Sequence, residues 1–399
     1  MKNEKTDLTE KPVYKETNMR IVFAVTLMAV MGVASITPAF PKIVESLNIS
    51  IKKIGLLITV FTFPGIILTP LLGVLADRYG RKRILVPSLI LFGIAGSACA
   101  FTTNFHTLLV FRFFQGIGAA SLGSLNTTII GDLYSMGKQK HKLSEAMGYN
   151  GGVLNIGTAS YPAIGGFLAV FGWHYPFLLS ALAVPVGLLV LFYLKNPEPE
   201  NRQNLKEYLG NTWKSIQNKQ VAGLFIASLV TFIILYGSLL TYFPFFMERT
   251  FGSSVLVIGL YLTLMSVASG ITSSQLGKLS KRYHQKHLMM IAFALYIVSL
   301  AMLPFIPNYV FLVVPTVIHG IGNGLNTPAI QSLLALLAPL EYRAAFMSTN
   351  GMVLRIGQTL GPIIMGSIFL LWGIAGTFFA GAFLAFVMIF LIKLLIKDR

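Results

Sequence analysis

The chain has 399 residues, 55% of them from the set AVILMFWYC and only 11% charged, with a mean hydropathy of +0.72. Soluble domains carry about 25% charged residues, so this composition excludes a soluble enzyme, a secreted disulfide scaffold and a coiled coil. A formal charge of +17 would suit nucleic acid if the basic residues formed one patch, but they gather in alternate loops between apolar segments.

The first residues are polar, with Lys2, Lys5, Lys11 and Lys15 balanced by Glu4, Asp7, Glu10 and Glu16. That is not the charged start and short apolar core of a signal peptide, so residues 1–18 read as a cytoplasmic tail. Twelve apolar segments follow, each near the length of about 20 residues that crosses a bilayer as helix. They are 19–40, 53–75, 84–103, 105–133, 144–170, 173–194, 221–246, 255–278, 286–306, 309–338, 342–371 and 373–396. The tail, the even-numbered loops and the C-terminus hold 25 Lys and Arg, whereas the opposite loops hold four, Lys42, Lys52, Lys53 and Arg249. The positive-inside rule then places both termini in the cytoplasm. The single cysteine, Cys99, lies in an apolar segment and leaves neither a disulfide framework nor a thiolate metal site.

Segment one contains no acidic residue. Segment two runs into Gly73-Val-Leu-Ala-Asp77-Arg78-Tyr-Gly80-Arg81-Lys82-Arg83. Gly73 and Gly80 permit close approach and a tight turn, and Asp77 suits the positive end of a helix dipole. The alternative is that these charges only set topology, although a positive-inside signal needs no Asp among its arginines. Segment four carries Arg112, with Gln115, Ala119 and Asn126 on the same side and Asp132 near its inner end. A guanidinium at the bilayer centre costs at least about 2.5 kcal/mol, so Arg112 faces a wet cavity or a partner. It either couples protons or substrate together with Gln115 and Asp132, or braces neighbouring helices through backbone carbonyls. Segment five combines Gly148, Gly157, Tyr161, Pro162, Gly165 and Gly166, a pattern for close packing and bending. Asn150 and Asn155 add polar groups at membrane depth.

Residues 195–220 form the longest internal polar stretch, opening with Asn196-Pro197-Glu198-Pro199-Glu200. Leu205, Tyr208, Leu209, Trp213 and Ile216 then recur at helical spacing, which predicts a short helix lying on the inner membrane surface. This linker divides a first unit, 19–194, from a second, 221–399. In the second unit, Tyr236 and Tyr242 lie in segment seven, and Thr263, Ser266 and Ser273 in segment eight. His319, Asn323 and Asn326 share one face of segment ten, and Asn350, Arg355, Gly357, Gly361 and Pro362 lie in segment eleven. His319 either titrates near neutral pH or donates to a neighbouring helix. Phe61, Phe63, Phe243, Phe245 and Phe246 read as lipid-facing or packing residues, with a few lining an apolar pocket. Aligning Ser144–Gly166 with Ala344–Gly366 gives ten identities in 23 positions, Asn150/Asn350 and Pro162/Pro362 among them. Two similar halves of six helices are therefore expected, the parallel repeat of many secondary transporters.

The loop from Gly73 to Arg83 resembles the signature loop of the major facilitator superfamily. The run from Arg112 to Gly118 is similar to its intramembrane-arginine motif. The run from Gly148 to Gly166 resembles the antiporter motif of its exporters, with Tyr161 standing where the motif has glycine. Likeness covers nearly the whole chain and points to the twelve-helix drug:proton antiporters. It implies an all-α polytopic membrane protein, with twelve transmembrane helices in two pseudo-symmetric six-helix bundles that rock around a mid-membrane site. It further implies a latch of Gly73, Asp77, Arg78, Gly80, Arg81 and Asp132 that holds the outward-open state. In that latch Asp77 faces segment eleven and Arg81 pairs with Asp132, while Lys281-Arg282 in the second half marks a degraded copy.

The expected activity is proton-coupled efflux of small amphipathic compounds across the plasma membrane. The expected partners are lipids, substrate and protons, acting on a monomer without nucleic acid. No cofactor is expected beyond the proton gradient, because no Walker loop is present. Neither metal-ligand spacing nor a nucleophile–base pairing points to an enzyme. A proton-coupled uptake symporter, or a lipid or metabolite exporter with a narrow natural substrate, is the alternative on the same fold. Asn126, Asn150, Asn155, Tyr161, Tyr236, Tyr242, Ser266, His319, Asn323, Asn326, Asn350 and Arg355 are the candidates for the cavity wall. With Arg112 and Arg355 at depth and no carboxylate there, neutral, zwitterionic or anionic cargo is expected over permanent cations, against which aromatic faces offer cation–π contacts.

Overall fold

In hydrocarbon every backbone N–H and C=O has to pair within its own segment, which makes helix the only open-ended choice. The computed structural model describes residues 12–134, 142–195, 210, 218–337 and 343–396, and no strand occurs among them. Eleven of its helical stretches are long and apolar enough to cross a membrane. In chain order they are α1 (Thr17–Ser46), α2 (Ile51–Tyr79), α3 (Arg81–Phe101), α4 (Phe105–Tyr134), α5 (Leu143–Phe171), α6 (Tyr175–Tyr193), α7 (Lys219–Phe251), α8 (Val255–Leu279), α9 (Gln285–Phe305), α10 (Tyr309–Leu337) and α11 (Thr349–Leu395). The last belongs to a 53-residue helix, Arg343–Leu395, interrupted at Gly373 with φ 67° and ψ −166°. Expected segments eleven and twelve both fall in it, on either side of that glycine. The predicted surface helix in 195–220 and most of the 1–18 tail lie outside the described residues.

Breaks in the helices have local causes. Near Pro38, α1 passes through a 3₁₀ turn, Thr37–Ala39, and Ser35 and Thr37 return their hydroxyls to the carbonyls of Met31 and Val33. Span α7 carries a π-helical stretch, Ile234–Tyr242, where Thr241 Oγ1 donates to the carbonyl of Tyr236 at 2.7 Å. Gly80 takes φ 100° between α2 and α3, a conformation side-chain-bearing residues avoid. At helix starts, Asn104, Asn218 and Ser254 accept from exposed backbone N–H groups. Lys42 donates to the carbonyls of Ala169 and Val170, placing a cation on the negative end of α5.

Burial collects into two large apolar clusters. One is drawn almost wholly from residues 13–194, and the other entirely from 221–396. Between these parts of the chain the principal contacts are α5 on α8 and α2 on α11. Asn18 and Lys195 tie the start of α1 to the chain just past α6 through two bonds of 2.9 and 3.0 Å.

Small residues set the helix spacing. A Cβ on Gly116 of α4 would overlap the Phe61 carbonyl of α2, whereas one on Gly123 would meet nothing within 4 Å. Overpacking of this kind costs about 1–3 kcal/mol. Gly116→Ala should therefore lower the unfolding temperature in detergent, while Gly123→Ala should leave it unchanged or raise it. Thermal denaturation followed by size-exclusion chromatography checks the contrast.

Candidate functional site

The two seams form a wedge. On α2 and α11, Gly55 packs against Pro362, Thr59 Oγ1 donates to the carbonyl of Thr359 at 3.0 Å, and the hydroxyls of Thr62 and Thr359 meet at 2.8 Å. On α5 and α8, Gly166 and Pro162 lie against Val255 and Gly259, and Ala163 N–H donates to Thr263 Oγ1 at 3.1 Å. Farther along the same helices, toward the end that carries the Gly80 turn, the gap opens. Gly73 on α2, Gly148, Gly151 and Gly152 on α5, Gly277 on α8 and Gly351 on α11 would each meet nothing within 4 Å. Consecutive residues Leu154, Asn155 and Ile156 of α5 are all exposed, so more than one face of that helix is open. Thus Gly73 and Gly148, read from sequence as close-approach glycines, face space here. Gly157, Gly165, Gly357 and Gly361 do pack, against α1 side chains, the Ser35 backbone, Leu229 and Phe232, and Ile233 and Gly237 respectively.

Arg112 is fully buried. Its Nε donates to the Leu57 carbonyl at 3.0 Å, and Nη1 donates to the Gly32 carbonyl at 2.9 Å and to Gln115 Oε1 at 2.6 Å. Gln115 passes the chain on to Ser180 Oγ at 2.9 Å, and Phe61 lies beneath the guanidinium at 4.2 Å. The geometry is the bracing arrangement: one cation ties α1, α2, α4 and the chain at the start of α6. Ser180 and Phe61 did not stand out in the sequence as its partners.

Four cavity candidates are placed elsewhere. Asn126 Nδ2 donates to Thr26 Oγ1 and to the Val22 carbonyl, and Thr26 donates to Asn150 Oδ1, linking α4, α1 and α5. At the equivalent positions of the second half, Asn326 Nδ2 donates to Thr231 Oγ1 at 2.7 Å and Ser228 Oγ donates to Asn350 Oδ1 at 2.7 Å, linking α10, α7 and α11. All four asparagines are buried. They serve helix–helix bonds because an unbonded amide at this depth is costly. The signal for this pairing is Asn126/Asn326, at the same offset of 200 as the aligned repeat.

Of the others, Tyr161 is buried beside Gly157, and Tyr242 is fully buried and stacked on Phe369 at 5.2 Å. Ser266 bonds its own helix at Leu262. Asn323 joins Ser269 of α8 and Tyr296 of α9 at 3.3 and 3.4 Å. His319 is buried, stacked on Tyr296 at 4.5 Å, and lines a small pocket with Phe243, Met265, Ser299 and Thr316. Phe61, Phe243, Phe245 and Phe246 are buried, and Phe63 is exposed. Three candidates stay at the seam or in the open: exposed Asn155, half-buried Tyr236 and half-buried Arg355.

At the open end, Arg81 is buried between two carboxylates. It forms an ion pair with Asp77 and donates from Nε to Asp132 Oδ2 at 3.0 Å. Asp77 takes Arg81, four residues along the chain, as its partner. Arg78 is exposed over the Tyr79 ring at 5.7 Å. Nearby, Tyr134 donates to Glu16 at 2.6 Å, tying the end of α4 to the start of α1.

Replacing Arg112 by leucine would remove its charge-assisted bonds to the Leu57 and Gly32 carbonyls and to Gln115 Oε1, worth about 1.5–3 kcal/mol each. Arg112→Leu should therefore destabilise the purified protein more than Arg112→Lys, which retains one donor, and melting curves in one detergent read the order directly.

The model of the Major Facilitator Superfamily matches residues 22–255 and 245–399. The chain is 28% identical over 361 residues to Multidrug resistance protein 1 of Bacillus subtilis (strain 168), covering 89% of this chain and 90% of that protein. It is 24% identical over 363 residues to Tetracycline resistance protein, class B, of Escherichia coli, covering 88% of each. Among solved structures, a bacterial homolog of the human lysosomal transporter Spinster, in an inward-facing and occupied conformation, superposes with a TM-score of 0.81 at 16% identity, over 98% of both chains. The nucleoside transporter NupG gives 0.76 at 16% identity, over 96% of this chain and 99% of that one. This chain belongs to the Major Facilitator Superfamily and is a multi-pass membrane transporter rather than an enzyme.

Proposed function

We propose that this transporter is a proton-driven antiporter that exports small amphipathic compounds through the wedge between two six-helix bundles. The bundles are residues 19–194 and 221–399, joined by 195–220. The chain crosses twelve times, with Gly373 separating the last two crossings and the basic end in the cytoplasm. It acts as a monomer in the plasma membrane, with lipid around it and the proton gradient as its energy source, without cofactor or nucleic acid.

The observation that carries this reading is the contrast between the two ends: glycine and threonine contacts seal one, while Arg81 with Asp77 and Asp132 sits at the open other. Closing the open end would bring α2 toward α11 and let Asp77 exchange Arg81 for the positive start of that helix. Arg78 and the Gly80 turn would hold the loop in register, with Gly73 then in close packing. Protonating Asp77 or Asp132 removes a charge from this set and shifts the balance between open and closed states. Arg112 and Gln115 would transmit movement between α1, α2 and α4. Export as the direction draws support from the relatives named for multidrug and tetracycline resistance.

Cells making the protein should accumulate less of at least one dye or drug in a panel, and a protonophore should abolish the difference. Unchanged accumulation for every compound would count against drug export, and increased accumulation would indicate uptake. Asp77→Asn should slow proton-driven transport in proteoliposomes about tenfold, the scale of 1–2 kcal/mol, without lowering expression. Charge exchange in Arg81→Asp with Asp132→Arg should recover part of the activity lost in each single variant; a double variant no better than the worse single speaks against direct pairing.

A further inference from the structure

Two arginines lie at membrane depth, and their surroundings differ. Arg112 is sealed among carbonyls and Gln115. Arg355 is only half-buried, and its described side-chain bond is one 3.3 Å contact from Nη1 to Gln358 Oε1, long for a hydrogen bond. Its stem crosses from α11 to lie over Gly65 of α2, where a Cβ would come within 3.2 Å of Arg355 Cδ and Nε. One turn toward the closed end, Thr359 makes the threonine seal; one turn toward the open end, Gly351 already meets nothing within 4 Å. The guanidinium therefore sits at the roof of the wedge.

No described carboxylate accompanies it. Among the described residues, the acidic side chains are Glu16, Glu45, Asp77, Asp132, Glu145 and Glu248, each at or close to a helix end. Tyr236 lies within electrostatic reach of it. That tyrosine lies in the π-helical stretch of α7, a geometry that displaces side chains from the regular helical rows, and stacks on Phe232 at 5.8 Å. Phe232 also shares the wall of a narrow cleft with Ile330 and Leu354, together with Ser228 and Gln331.

We propose that Arg355, with Tyr236 beside it, binds the anionic group of the transported compound, so that the substrate class is amphipathic organic anions. A carboxylate or sulfonate takes the guanidinium fork, and an apolar, preferably aromatic, body lies along Phe232 and Leu354. This rests on the wedge being the transport path. A planar fork is the geometry that pairs with carboxylate-like groups in two parallel bonds. As the wedge closes, water is withdrawn from Arg355, and a guanidinium without a counter-charge becomes costly. An anionic cargo supplies the counter-charge; a cation is repelled by the same group.

Three matched probes test it: 2-naphthalenesulfonate, 2-naphthalenesulfonamide and trimethyl(2-naphthyl)ammonium. Binding is measured calorimetrically on purified protein, and flux in proteoliposomes with an imposed proton gradient. The sulfonate should bind at least about tenfold more tightly than the ammonium, the scale of one charge-assisted hydrogen bond. Arg355→Gln should erase that preference, weakening the sulfonate at least about tenfold more than the sulfonamide, and Arg355→Lys should keep part of it. Tyr236→Phe should weaken the sulfonate selectively. Equal loss of all three probes in Arg355→Gln would assign the arginine a merely structural role and overturn the proposal. So would tighter binding of the ammonium, or no sulfonate binding at millimolar concentration. Sulfonate binding that needs Arg355, combined with flux that ignores the proton gradient, would leave the anion site standing and remove proton-driven export. Gradient-driven export of the ammonium, unchanged in Arg355→Gln, would do the reverse.

Discussion

A polar atom inside a hydrocarbon slab has only the protein to bond to, and this requirement decides how the helices are joined. Arg112 meets it with Nε and Nη1, which reach the carbonyls of Leu57 and Gly32 on two other helices, while its buried Nη2 has no protein partner. The asparagine pairs bond through Thr26 in the first half and through Thr231 and Ser228 in the second, with Asn126 Oδ1 and Asn326 Oδ1 the atoms left without a protein partner. Such bonds hold α1, α4 and α5 to one another, and α7, α10 and α11 likewise. Between the two sets, by contrast, the seams combine glycine backbone, two prolines and threonine hydroxyls with apolar side chains such as Ile233 and Met365 and the Arg355 stem over Gly65. Strong polar bonds within each set and small-residue contacts between them are what two bodies need if they are to move while staying intact.

The parts of this arrangement that depend on local composition were legible in the sequence. Apolar runs gave the spans, basic loops gave the asymmetry of the two ends, and the Gly73–Arg83 run pointed to the cluster in which Arg81 meets Asp77 and Asp132. What could not be read was which side of each helix faces inward. A helix that is apolar all round has no preferred face in its periodicity, so a polar residue in it fits a cavity wall and a neighbouring helix equally well. Asn126, Asn150, Asn326 and Asn350 show the difference: all four are bonded across helices and buried. Glycine is ambiguous in the same way, since Gly157 packs against Val30 while Gly148 faces space. The π-helical stretch of α7 was equally hidden, because the choice between α and π bonding is a matter of register rather than composition.

The two ends of the wedge differ in what can act on them. The glycine, proline and threonine contacts at the closed end involve no titratable group themselves. The open end holds Asp77, Arg81 and Asp132 within one contact set, and there a single proton alters the balance of charge. A ligand or ion shifts a conformational equilibrium only through a group whose surroundings differ between the states. On the proposed reading, protons thus act at the open, basic end and cargo acts at Arg355 beneath the seal, so the two inputs bear on different places along the same pair of helices. Their coupling then needs no shared residue. Both bear on how far α2 stands from α11, and a rigid helix pair carries that distance from one site to the other.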